Sequence, residues 1–157
     1  MNSLIVNILT IGGIGCLVFT AFILFMAYSG IASEMRDEEG NFKKNRNLKT
    51  VLGGTLFIFF LIGILYVGNL YLMESAEESP GLFQLWINSF GIFFLIHLYD
   101  LVILDYFVVI KWHPKFLNLP DTHYYKSFRP HLHGFIKGIP IGVGASFIAS
   151  VLTLVIN

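Results

Sequence analysis

The chain has 157 residues, 55% of them hydrophobic and only 13% charged, which excludes an ordinary water-soluble domain and points to an integral membrane protein. Ten Lys and Arg balance ten Asp and Glu, so the distribution of charge carries the information and its sum does not. One cysteine, Cys16, excludes an internal disulfide, a Cys-based metal framework and thiol redox chemistry within one chain.

The first apolar run covers about residues 4–32. No positively charged region precedes it, and it is longer than the apolar core of a secretory signal, so we expect a retained first helix. Further runs cover about residues 51–73, 82–112 and 135–156. Each exceeds the roughly 20 helical residues needed to cross about 30 Å of hydrocarbon. None alternates with a period of two, and in lipid a helix satisfies its own backbone. The expected fold is all-α: one integral membrane domain over residues 1–157, built as a four-transmembrane-helix bundle. No internal repeat or low-complexity tract is visible.

The connections differ in charge. The first holds Arg36, Lys43, Lys44, Arg46 and Lys49, and the third, from residue 111 to 137, holds Lys111, Lys115, Lys126, Arg129 and Lys137. These are all the Lys and Arg in the chain. The second connection carries Glu74, Glu77 and Glu78 with no basic residue. Short loops rich in Lys and Arg stay cytoplasmic, so loops 1 and 3 are expected inside and both termini outside, with Trp112 and Trp86 at opposite interfaces.

The third run contains His97, Asp100 and Asp105. Counted back from Trp112, Asp105 lies roughly 10 Å and Asp100 roughly 18 Å from the inner interface. On an α-helical wheel, His97 stands roughly 60° from Asp100 and roughly 80° from Asp105 on the other side, so the three share one broad face. Tyr99 and Tyr106 are close enough in sequence to hydrogen-bond them. An ionised carboxylate at such depth costs at least about 2.5–3.5 kcal/mol, so it should face the protein interior or water and have a partner. Lys137, Arg129, the tyrosines, a metal or a proton can serve.

The other histidines, His113, His123, His131 and His133, lie in or beside the third connection, with Asp121 close by. We expect this loop to fold back over the third helix and bring imidazoles to its carboxylates. Asp105, His131 and His133 then form a candidate site for a divalent transition metal such as zinc or iron, which use these ligand types. The alternative is a purely structural ion pair between Asp105 and Lys137 or Arg129.

The fourth run places Gly134, Gly138, Gly142, Ser146 and Ser150 at every fourth position. That spacing makes a smooth stripe against which another helix can lie closely, either within the chain or in a second copy or another membrane protein. Pro140 should loosen the helix near its start.

The segments HLYDLVILDYFVV, WHPKFLNLPDT and HLHGFIKG, within about the last 65 residues, resemble the carboxy-terminal half of small multi-pass bacterial membrane proteins whose activity is not characterised. The resemblance implies a compact membrane bundle in a bacterial plasma membrane and no particular reaction.

The leading functional expectation is a cytoplasm-facing His/Asp pocket that binds, and in an enzymatic version transforms, a lipidic or amphipathic small ligand. Asp100 and Asp105 would be its catalytic groups, with His97, Tyr99, Tyr106, Arg129 and Lys137 holding the ligand. Membrane lipid is the expected partner. Two alternatives stand beside it: a non-enzymatic accessory or regulatory subunit of a larger membrane complex, and proton or ion transfer. No phosphate-binding loop or nucleic-acid motif is present, so nucleic acid is not an expected partner.

Overall fold

The computed structural model describes residues 2–31, 48–117 and 123–157. Arg36, Lys43, Lys44, Arg46 and Asp121, and the end of the first expected helix at Ala32, lie outside them.

The described chain is all-α, and four of its helices are long and apolar enough to cross a membrane. Helix α1 is Asn2–Tyr28 and α2 is Leu48–Ser75. Helix α3, Leu82–Tyr99, continues without a break into a π-helical segment, Asp100–Trp112, giving a single rod of 31 residues. A 3-10 turn at Lys115–Leu117 and the short α4, His123–Lys126, lead to α5, Phe128–Ile156.

Local chemistry sets the ends. Helix α1 closes at Gly30, whose φ of 70° is the left-handed conformation that glycine adopts without a Cβ penalty. Helix α3 starts after Pro80, where the Gly81 N–H donates to Gln84 Oε1 over 3.1 Å. The π segment ends at His113, held left-handed at φ 45° with its N–H returning to the Val108 carbonyl over 2.9 Å. Pro114 follows, and the residue before a proline is steered away from right-handed helix.

Helix α5 begins seven residues before the expected position, at Phe128 rather than residue 135. Its polar opening, Arg129, His131 and His133, has a low hydropathy that hid it, and Pro130 reads as a loop residue. In the first turn a proline costs no intrahelical bond, because those N–H groups have no partner there. His131 and His133 are therefore helical residues and not members of a loop.

The helices alternate in direction but do not pack in sequence order. Around the bundle the neighbours are α1, α3, α5 and α2, with α2 and α3 also meeting across the centre. Helices α1 and α3 lie side by side in parallel, with Asn7 bonded to Asn88 near one end and Thr20 to Tyr99 further along. Helices α1 and α2 run antiparallel through Phe22, whose ring stacks on Phe60 at 4.5 Å between centroids. The core between them contains Leu61, Leu65, Ile92, Phe93, Ile96 and Ala149. Both chain ends lie at one end of the bundle. The starts of α2 and α5, with Lys49 and Arg129, lie at the other, the basic end.

Four of the five stripe positions on α5 pack inside the chain, while Gly134 is exposed with nothing beside it. A Cβ on Gly138 would stand 2.6 Å from His97 Nε2, and one on Gly142 would collide with the Phe93 ring. These two positions accept rings of α3 where any larger residue would push the helices apart. Ser146 and Ser150 are fully buried further along.

Candidate functional site

Two polar groupings interrupt the apolar core. The first, towards the basic end, joins the π segment to α5. His131 Nδ1 donates to Asp105 Oδ1 over 2.8 Å, with 3% of the histidine side chain and 24% of the aspartate side chain exposed. The carboxylate accepts, so Nδ1 carries the proton. Asp105 thus takes its partner from the adjoining helix. Lys137 and Arg129, the two cations expected for it, are instead exposed along α5.

The π winding alters the expected geometry around this pair. On an α-helix Asp100 and Asp105 would stand about 140° apart. A ladder that links residues five apart brings them to successive turns of one side. Both are half-buried.

His97 sits one layer further from the basic end. Its ring lies between Phe135, at 4.4 Å between centroids, and Phe93, at 5.0 Å, and rests on Gly138. Nε2 meets the Phe135 carbonyl at 2.9 Å. A carbonyl only accepts, so Nε2 carries the proton and His97 is fixed as one tautomer. The bonded carbonyl is next to that of Ile136, which Pro140 cannot serve with an N–H.

The two tyrosines turn elsewhere. Tyr99 OH lies 3.0 Å from Thr20 Oγ1 on α1. Tyr106 packs edge-on against Phe128 at 5.6 Å, with Lys111 Nζ 5.5 Å from its ring centre. Among the described residues, neither tyrosine bonds to a carboxylate.

The expected metal trio is not assembled. Two residues apart on α5, His131 and His133 point roughly 200° away from each other. His131 is buried against Asp105 while His133 is exposed. Among the described residues no group of three His, Cys, Asp or Glu side chains gathers to hold a metal ion.

The second grouping lies nearer the chain ends and was not foreseen as a site. Asn7, Asn69 and Asn88, from three different helices, are 0–1% exposed. Asn7 Nδ2 donates to Asn88 Oδ1 at 2.8 Å and to the Gly68 carbonyl at 2.9 Å. Asn88 Nδ2 donates to Asn69 Oδ1 at 3.1 Å and to the same Gly68 carbonyl at 3.2 Å. Asn69 Nδ2 reaches Ser150 Oγ at 3.3 Å and Thr153 Oγ1 at 3.4 Å on α5. All four long helices are tied in one layer. The sequence signal is one lone Asn in each of three apolar runs at a matching height once the helices alternate in direction.

Two open depressions accompany these groups. One of about 560 Å³ lies between α1 and α3, lined by Gly13, Cys16, Leu17, Leu95, Leu98 and Tyr99. Another of about 260 Å³ lies at the end of the bundle beyond the Asn layer, lined in part by Ser3, Leu72, Glu78 and Gln84.

No protein-family model matches the chain, and no curated protein or solved structure matches it.

Proposed function

We propose that this is a multi-pass protein of the bacterial plasma membrane, with its basic end in the cytoplasm, that binds an amphipathic lipid at the Asp105–His131 pair. The carrying observation is the 2.8 Å bond between a half-buried carboxylate and a buried imidazole inside a membrane span. Such groups are expensive in hydrocarbon and are functional by default. Asp105 Oδ1 is occupied by His131, and its other oxygen remains to accept a hydrogen bond from a lipid head group. The same turns carry exposed Phe107, Leu132 and Ile136, an apolar surface for the tails. Lys111, Arg129 and Lys137 are exposed around them and suit an anionic component of the head.

Native mass spectrometry of the protein released from bacterial-lipid nanodiscs tests the proposal. Asp105→Asn keeps an acceptor for His131 but removes the charge. Loss of a charge-assisted hydrogen bond, about 1.5–3 kcal/mol, lowers lipid retention about tenfold or more. Equal retention in the variant removes the site.

A second reading, proton transfer, is supported by the Asn layer. In the sequence the half of α3 before His97 offers only Gln84, Asn88 and Ser89 as polar steps; Asn7, Asn69, Ser150 and Thr153 add to them from the other helices. Proton flux into liposomes that is unchanged by Asp100→Asn rules it out.

A further inference from the structure

Helices α3 and α5 run antiparallel in a register that steps of four residues preserve. His97 lies on Gly138 and Phe93 on Gly142. One more step on each helix sets Ser89 opposite Ser146. Both serines have no exposed surface, and neither hydroxyl oxygen has a hydrogen-bond partner among the described residues.

This is not how hydroxyls behave elsewhere in the same helix. A serine or threonine inside a helix commonly donates to the carbonyl one turn back. Ser150 does so to Ser146 at 2.8 Å, and Thr153 does so to Ala149 at 2.8 Å. Ser89 and Ser146 leave that bond unmade. Two unsatisfied buried hydroxyls on facing helices are a costly coincidence unless something polar sits between them.

We propose that Ser89 and Ser146 hold an ordered internal water between α3 and α5. Water suits the chemistry, since it both donates and accepts and needs only two to four polar partners. A hard cation wants six or more oxygens and usually carboxylates among them, and no carboxylate is at this level of either helix. Ser150 Oγ donates to the Ser146 backbone carbonyl, so the water lies one turn along α5 from the network of Asn7, Asn88, Asn69 and Ser150, towards the middle of the membrane. Phe93, seated on Gly142, lies between this level and His97.

Water-edited solid-state NMR of the full chain in lipid, labelled at serine and leucine, tests this directly. Magnetisation should pass from water to the Ser89 and Ser146 Cβ atoms at least about threefold faster than to Leu65, which is equally buried but in apolar surroundings. Ser89→Ala should slow the transfer at Ser146, and Ser146→Ala the transfer at Ser89, because each removes one of the two anchors. Build-up at both serines in the unmodified protein as slow as at Leu65 would mean that the hydroxyls bond each other or their own helices, and would overturn the proposal. So would fast transfer at one serine that survives the loss of the other.

Discussion

The imidazole of His97 lies so close over Gly138 that a single added methyl would stand 2.6 Å from Nε2. Phe93 and Phe135 cover the two faces of the ring, and its Nε2–H donates to the Phe135 carbonyl, so moving away costs those contacts. Gly138→Ala therefore costs about 1–3 kcal/mol as an overpacked contact. Titration of the refolded protein between mild detergent and dodecyl sulfate measures it. In the His97→Ala background the same glycine substitution should be close to neutral, and equal costs in both backgrounds would show that the two residues do not share the contact.

Asn88 is the hub of the buried layer, accepting from Asn7 and donating to both Asn69 and the Gly68 carbonyl. Interhelical hydrogen bonds in membranes average about 0.6 kcal/mol each, so Asn88→Leu, which keeps the volume and removes three bonds, loses about 2 kcal/mol. The same detergent titration reads it. A variant as stable as the parent would make the layer incidental to stability.

The tautomer of His131 is tied to Asp105. In nitrogen NMR spectra, the parent and Asp105→Asn should both show a protonated Nδ1, since an amide oxygen accepts as a carboxylate does. Asp105→Ala removes the acceptor that holds the proton on Nδ1 and should shift it towards Nε2. An unchanged His131 spectrum in the alanine variant would mean that the carboxylate does not hold the ring.

Orientation can be read with a membrane-impermeant maleimide in a Cys16→Ser background. Lys126→Cys should react only from the cytoplasmic side and Glu77→Cys only from outside, following the placement of every Lys and Arg in or beside the first and third connections. The reverse pattern would move the Asp105–His131 pair to the outer face and remove the cytoplasmic reading of the site.

The four long apolar helices were legible because hydrocarbon thickness demands long apolar runs, and such runs stand out in a single sequence. The start of α5 was not, because Arg129, Pro130, His131 and His133 look like a loop until Pro130 is recognised as a first-turn residue. The sequence brings His131 to Asp105 only as a fellow metal ligand with His133, and their direct bond is not legible in it, since helix packing decides which cation or imidazole reaches a carboxylate. The π segment had no visible cue, and with it the wheel angle between Asp100 and Asp105 changed. The Asn layer was the largest omission. Asn7, Asn69 and Asn88 are 62 and 19 residues apart along the chain, and single amides in apolar runs carry no period to betray them.

The side-by-side placement of α1 and α3 has a consequence for how the protein is made. The hairpin of α1 with α2, made before α3, holds Asn7 and Asn69 before Asn88 exists to join them. Within the hairpin Asn7 Nδ2 already meets the Gly68 carbonyl, but Asn69 finds its partners only on α3 and α5, a burden that later arrivals relieve. Assembly therefore waits for α3 to slide in beside α1 and for α5 to close the ring, so that insertion and folding are separate events in the life of this chain.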